Sequence, residues 1–193
     1  MERTNSDICA SALGKLGILY ESRGGQTEKI ARRMAEAVKE LVGEVQVADI
    51  RNLPAEFDPG KFDAVILGAP VYFSRHTGGM KAFILDHREI LSQRPSFFFS
   101  VSLNANNESK LRGVAERYVT KFLARTGWTP KATATLAGAV LYRDYNWLIR
   151  FLMKCLVASH GGQTDTSRNY EYTKWDLVEK FARECAGSLG GNV

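Results

Sequence analysis

Between Leu16 and Ile30 the chain passes from an apolar run, Leu16-Gly17-Ile18-Leu19-Tyr20, through Glu21-Ser22-Arg23-Gly24-Gly25-Gln26-Thr27, into residues of helical periodicity. A strand that gives way to a helix through a turn rich in hydroxyls and glycines gathers N–H groups and side-chain donors in front of the helix's partly positive N-terminus. Such a turn is a natural seat for a phosphate. Two common phosphate loops are excluded, because the chain has neither G-x-G-x-x-G nor a Gly-Lys-Ser/Thr ending at this place. The plainer reading of the same residues is a tight turn at Gly24-Gly25 with Thr27 as the helix N-cap.

From Leu16 onward, strand and helix patterns alternate. Strands are expected at Leu16–Tyr20, Glu44–Ala48, Asp63–Gly68, Ser96–Val101 and Thr133–Leu141. Helices are expected at Gln26–Leu41, Gly79–Leu91, Ser109–Thr126 and Lys174–Ala186. The first helix repeats apolar residues at Ile30, Met34, Ala37, Val38 and Leu41, and the last carries Trp175, Val178, Phe181 and Ala182 on one face. Asp63–Gly68 is continuously apolar, as a parallel strand covered on both faces requires. Five strands with intervening helices specify an α/β doubly wound sheet, for which the order 2-1-3-4-5 fits the count. In such a sheet the ligand lies beyond the carboxyl ends of the strands, where the strand order reverses. Three loops are thereby singled out: Glu21–Thr27, Ala69–Gly78 and Ser102–Glu108.

The length of 193 residues suits one domain, and charged residues at 24% are ordinary for a globular chain. No apolar run reaches the roughly 18 residues that span a bilayer. Residues Met1–Lys15 lack an apolar signal core and are expected to be a loose tail before a single domain of residues 16–193. Cys9, Cys155 and Cys185 are scattered, form no C-x-x-C or metal-type cluster, and read as free thiols, the last two buried. The formal charge of +5 favours anionic partners. Nucleic acid is the weakest of these, since no basic run carries interleaved aromatics.

Loop two, Ala69 to Gly78, holds Pro70, Val71, Tyr72, Phe73, Arg75 and His76. Tyr72 or Phe73 supplies a flat wall for an aromatic ligand, or packs on the neighbouring helix. His76 is a candidate proton carrier, or an exposed and solvated loop histidine. Loop three, with Ser100, Val101, Ser102, Leu103 and Asn104, is short and polar, and either its backbone contacts a ligand edge or it simply turns into the next helix.

Between the last expected strand and the last helix lies Tyr142–Tyr172, far longer than a usual connection. Its segment 148–157 is expected to be helical, with Asn146, Arg150 and Lys154 on one narrow polar stripe and the rest apolar. Such a helix either lies on an anionic bilayer surface, with Arg150 and Lys154 reaching head groups, or docks on the protein body or a dimer contact. Gly161-Gly162 ends it.

Two sets of residues carry a resemblance. Ser22-Arg23-Gly24-Gly25-Gln26-Thr27 resembles the phosphate loop of flavodoxins, which hold FMN. Thr120-Lys121-Phe122-Leu123, Trp128, Ala137-Gly138-Ala139, the Tyr142-Arg143, Tyr145, Trp147 block, Arg150-Phe151, Met153-Lys154, Gly161-Gly162-Gln163-Thr164-Asp165-Thr166, Tyr172-Thr173-Lys174-Trp175 and Phe181-Ala182-Arg183-Glu184 are similar to the bacterial quinone-dependent protoporphyrinogen oxidases of flavodoxin-like fold. The similarity runs from about Leu16 to Glu184. Gly24 stands where that family often has an acidic residue. The resemblance implies FMN as cofactor, oxidation of protoporphyrinogen IX to protoporphyrin IX, and menaquinone or ubiquinone as acceptor at the cytoplasmic face of a membrane. It further implies that hydride would pass to flavin N5, that quinone would reoxidise the flavin, and that three rounds would complete the six-electron oxidation.

The expected FMN contacts are Ser22, Arg23, Gly24, Gly25, Gln26 and Thr27, then Pro70, Val71, Tyr72 and Phe73, then Ser100, Val101, Ser102, Leu103 and Asn104. Arg75, His76, Tyr142, Arg143, Tyr145, Trp147, Arg150 and Lys154 are the candidates for substrate, quinone or membrane. No catalytic base and no metal ligand is assigned, and homo-oligomers are left open. Two rival readings are an electron carrier of flavodoxin type and an NAD(P)H:quinone reductase. The basic charge and the apolar insertion argue against the first. The second requires flavin bleaching by NADPH.

Overall fold

The computed structural model describes residues 14–106, 112–140 and 165–189, together with positions 142, 147, 150, 151, 154, 157 and 158 of the insertion. The expectations for Cys9, Cys155, Asn146 and Gly161-Gly162 lie outside the described residues, as does all of the N-terminal segment except Gly14 and Lys15. Lys15 is already a strand residue. Strand β1 covers Lys15–Tyr20, helix α1 Gln26–Val38, β2 Glu44–Asp49 and β3 Ala64–Tyr72. The two-residue strand β4 (Arg75–His76) folds back before helices α2 (Gly78–Asp86) and α3 (Arg88–Ser92). Strand β5 (Ser96–Ser102), helix α4 (Arg112–Thr126) and strand β6 (Ala132–Ala137) follow. Short strands β7 (Ala139–Val140) and β8 (Tyr170–Glu171) bracket the insertion, and helix α5 spans Trp175–Gly187.

The five main strands are parallel in the order β2-β1-β3-β5-β6, the expected 2-1-3-4-5 arrangement counted over those five. Successive residues of one strand point to opposite faces. Ile66 therefore joins Leu16, Ile18, Phe97 and Phe99 under α1 and α5, where Ile30, Met34, Val178, Phe181 and Ala182 complete one core layer. Val65 and Leu67 face the other way, with Leu19 and Phe98, onto Met80, Phe83, Ile84, Leu91, Val119, Phe122 and Trp128. Cys185 is buried in the first layer, and that burial pushes its thiol pKa upward.

Four boundaries differ from the sequence expectation. Helix α1 stops at Val38, so Val42 rather than Leu41 reaches the core, and Leu41 is exposed. The helix expected over Gly79–Leu91 breaks at His87, whose backbone (φ −114°, ψ 14°) leaves the helical region. β3 runs four residues past Gly68, into what reads as loop two. Pro70 does not stop it because the pairing of β1 with β3 ends at Tyr20 and Gly68, and Pro70 pairs only with Val101 of β5. The last expected strand is divided at Gly138, whose N–H donates to Ser102 O (3.2 Å) and whose carbonyl accepts from Tyr172 N (3.1 Å). These bonds turn the chain out of the main sheet into the antiparallel pair β7–β8.

Gly68 lies opposite Phe99, and a Cβ built on it would stand 2.0 Å from Phe99 Cζ. Phe99 is fully buried and has nowhere to retreat. Gly68→Ala is expected to destabilise the protein by about 1–3 kcal/mol through overpacking. The check is a lower urea midpoint with an unchanged m-value.

Candidate functional site

The turn after β1 ends in a glycine-capped helix. Gly25 is the N-cap of α1 in the left-handed region (φ 81°, ψ −20°), where glycine is the undemanding residue, and no side chain caps the helix. The cap position corrects the expectation of Thr27 as N-cap, because Thr27 lies inside the first turn, while the tight turn at Gly24-Gly25 is present. Thr27 and Ser22 are buried, while Arg23, Gly24 and Gly25 are exposed and Gln26 is partly covered. Ser22 Oγ accepts from Gly25 N (3.0 Å), which closes the turn. The helix therefore presents its uncapped first-turn N–H groups flanked by two buried hydroxyl residues. That is the donor set a phosphate requires.

A residue that sequence reasoning passed over ties this turn to the second loop. Glu21 N–H donates to Gly68 O (2.9 Å), and its carboxylate, in a residue only 4% exposed, accepts from Met80 N in the first turn of α2 (2.9 Å). A carboxylate at that helix end is favoured by the helix dipole. Gly79 leaves it room, since a Cβ there would lie 2.8 Å from Glu21 Oε2. Thr77, the nominal N-cap of α2, makes no cap bond, and its buried Oγ1 has no partner. The available signal was an acidic residue at a strand's end opposite a Thr-Gly-Gly helix start.

Loop two is a tight hairpin on the end of β3. Val71 pairs with His76 and Tyr72 with Arg75 across a turn made by Phe73 and Ser74. The pairing swings His76 inward, which corrects the expectation of an exposed histidine. Its ring lies 4.6 Å from that of Phe122 and 5.3 Å from that of Phe98, and Nε2 is 2.8 Å from Ser100 Oγ. Burial lowers its pKa to about 4, so it is neutral near pH 7. Tyr72 lies at the rim beneath the Arg23 guanidinium, 5.5 Å from its ring centroid. Pro70 is buried and Val71 partly so, while Phe73 and Arg75 are exposed.

Ser100, Val101 and Ser102 belong to β5 rather than to a loop, and all three are buried; Leu103 and Asn104 begin a 3-10 turn over Leu103–Asn106 and are partly covered. Ser102 Oγ is a second buried hydroxyl without a partner at the carboxyl end of the sheet. Asn104 Nδ2 donates to Tyr118 Oη (3.1 Å), which donates to Ser74 Oγ (3.2 Å). Tyr118, unremarked in the sequence, thus joins loops two and three.

The insertion is anchored beside this site. Tyr142 is fully buried with Val140 and Val157, packed against Leu103, Tyr170 and Tyr172, so it holds the insertion's own small core and is not a contact surface. Arg150 is partly buried and its Nε donates to Tyr142 O (2.8 Å), so it does not share an open polar stripe with exposed Lys154. Trp147 and Phe151 are 79% and 61% exposed, and both lie in helical backbone. Arg143 and Tyr145 lie outside the described residues. The return strand docks on α1: Thr173 Oγ1 accepts from Gln26 Nε2 (2.8 Å) and donates to Ala137 O (2.7 Å), and Glu171 pairs with Lys29 (2.5 Å).

Neutral His76 has a consequence for stability. Unfolding returns it to a pKa near 6.5, so below that pH the unfolded chain binds a proton that the folded chain refuses. Its contribution is complete above about pH 6.5 and is lost progressively as the pH falls toward 4. His76→Phe is expected to flatten this part of the profile, read as a smaller drop in urea midpoint between pH 7 and pH 4.5 than the parent shows.

Residues 17–167 match the family model described as a flavodoxin domain. The chain is 36% identical over 169 residues to protoporphyrinogen IX dehydrogenase (quinone) of Escherichia coli strain K12, covering 88% of this chain and 93% of that protein. The enzyme of that name from Leishmania major is 30% identical over 181 residues, covering 92% and 77% respectively. Flavodoxin 1 of Bacillus cereus superposes with a TM-score of 0.54 at 18% identity, over 90% of this chain and 97% of that one. A short-chain flavodoxin associated with a PDU bacterial microcompartment reaches a TM-score of 0.56 at 14% identity, over 92% and 99%. The two flavodoxin structures speak for the fold alone. With the identity to both dehydrogenases spread over nearly the whole length, the chain belongs to the flavodoxin-domain family of the quinone-dependent protoporphyrinogen IX dehydrogenases.

Proposed function

We propose that this protein binds FMN at the carboxyl edge of its sheet and oxidises protoporphyrinogen IX to protoporphyrin IX with a quinone as acceptor. The observation that carries the reading is the uncapped N-terminus of α1 behind Gly25, flanked by buried Ser22 and Thr27 at the point where strand order reverses. Ser22 and Gly24 to Thr27 hold the phosphate, while Arg23 lies over the Tyr72 ring instead. Tyr72 walls the ring at the rim, and the buried orphan hydroxyls of Thr77 and Ser102, with the backbone from Ser100 to Asn104, meet its polar edge. Bound FMN supplies the two-electron chemistry between porphyrinogen and quinone. The chain's own task is to bind, orient and exclude water. His76 assists by fixing Ser100 through its Nε2–Oγ contact.

Membrane contact is part of the same reading. No helix among the described residues is long and apolar enough to cross a bilayer. The exposed Trp147, Phe151 and Lys154 lie at i, i+4 and i+7, so one side of the insertion helix presents two large aromatic rings and a cation. An aromatic–lysine surface of this kind suits the interface of an anionic bilayer, where quinone is delivered.

The direct test is anaerobic incubation of FMN-loaded protein with protoporphyrinogen IX and a menaquinone analogue. Porphyrin fluorescence is expected to grow only when quinone is present, well above the spontaneous rate, and NADPH is expected to leave the flavin unbleached. Rapid bleaching by NADPH with no porphyrin formed would favour an NAD(P)H:quinone reductase. Replacing Gly25 and Thr27 together with Val should strip FMN, since a left-handed β-branched residue is strained and the buried hydroxyl is lost; a yellow, fully loaded double variant refutes the phosphate loop. Trp147→Ser with Phe151→Ser is expected to reduce sedimentation with anionic liposomes several-fold while FMN content stays unchanged.

A further inference from the structure

The hairpin at the end of β3 holds its backbone in an unfavourable state for no benefit to packing. Phe73 (φ 46°) and Ser74 (φ 62°) are both left-handed, the pair of conformations that a two-residue turn normally gives to Asn-Gly. A non-glycine residue there is strained. Phe73 is 97% exposed, so its ring recovers none of this by burial. Yet the turn is fixed on both sides. Tyr118 donates to Ser74 Oγ and is itself held by Asn104, while Arg23 lies over Tyr72. Strain held in place at the rim of a ligand site is a mark of binding function rather than of fold.

The charges on the same hairpin narrow the ligand. Arg75 pairs through its backbone with Tyr72, and Arg23 stacks on the Tyr72 ring. Among the described residues, neither guanidinium has a carboxylate partner. The α1 N-terminus already answers the one phosphate of FMN, so two arginines remain for a second anionic ligand. Stacking uses the face of a guanidinium and leaves its edge donors for a carboxylate. An exposed ring with two such cations matches an apolar macrocycle bearing two carboxylates.

We propose that the Tyr72–Arg75 hairpin is the porphyrinogen-docking element, with Phe73 against the macrocycle and Arg23 and Arg75 pairing with its two propionates. The inference rests on the proposed function and divides the two neighbouring aromatics: Tyr72 serves the flavin and Phe73 the tetrapyrrole.

The test uses FMN-loaded protein and protoporphyrin IX, the unreactive product, with binding followed by quenching of porphyrin fluorescence and FMN content by visible absorbance. Phe73→Ala is expected to weaken porphyrin binding about tenfold or more, from the loss of a buried ring face, with Phe73→Tyr restoring it. Arg23→Gln with Arg75→Gln should weaken the free acid by at least as much and leave the dimethyl ester, given in the same dilute detergent, unaffected. Unchanged porphyrin affinity in these variants overturns the inference while wild-type turnover stands. Loss of FMN from Phe73→Ala also overturns it, by making Phe73 a flavin wall. A wild-type protein that neither binds porphyrin nor forms it refutes the proposed function itself.

Discussion

The hydrogen bond from Glu21 N–H to Gly68 O is the last one that joins β1 to β3, and the site exists because the two strands part there. Beyond it β1 turns into the glycine loop and α1, while β3 continues beside β5 as far as Pro70 and then pairs with β4 at Val71 and Tyr72. Divergence of neighbouring strands at their carboxyl ends opens a crevice in a sheet otherwise covered on both faces. Two glycines permit the close approach. Gly68 accommodates the Phe99 ring, and Gly79 accommodates the Glu21 carboxylate. The residue that closes the main-chain ladder thus also fastens α2 through Met80 N, so the walls of the crevice are held by one another.

The two helix starts at the crevice are treated differently. α2 carries a resident anion, Glu21, on its first turn, whereas α1 is capped by a glycine with no side-chain oxygen. An anionic ligand therefore meets one open helix end and one already satisfied and negatively charged. That asymmetry directs a phosphate to α1 more firmly than the glycines of the loop could. It also leaves the hydroxyl of Thr77, displaced from its capping role by Glu21, buried beside the opening.

Much of this was legible in the sequence, and the rest was not for identifiable reasons. Continuous apolar strands and amphipathic helices gave the sheet order, and the strand–turn–helix pattern gave the glycine turn that opens α1. The expected strand Asp63–Gly68 ends four residues before β3 does, because the sequence does not show that pairing with β1 ends at Gly68 and leaves Pro70 free of that ladder. With β3 cut short, Tyr72 to His76 became an open loop, and a histidine in an open loop looks solvated. The same residue, paired with Val71, falls between two phenylalanines. Arg150 looked like half of a polar stripe because helical spacing fixes the angle of a side chain but not what carbonyl lies under it, here that of Tyr142. Long-range polar contacts such as Glu21 with Met80 and Asn104 with Tyr118 have no periodicity to betray them.

The return segment at Glu171 and Thr173 and the first turns of α1 are bonded together. Gln26, the first residue of α1, donates to Thr173, which donates in turn to Ala137 at the end of β6, and Glu171 reaches Lys29 one turn along the same helix. The exposed Lys29–Glu171 pair contributes little by itself. The Thr173 hydroxyl matters more, because it is partly buried and both donates and accepts, so removing it strands two partners. Any ligand that fixes Gln26 narrows the positions open to Thr173, and with it the return of the insertion to the body. Such coupling acts equally in both directions, so whatever fixes Thr173 also narrows the positions open to Gln26. The end of β6 and the open N-terminus of α1 are thereby held to each other through one threonine.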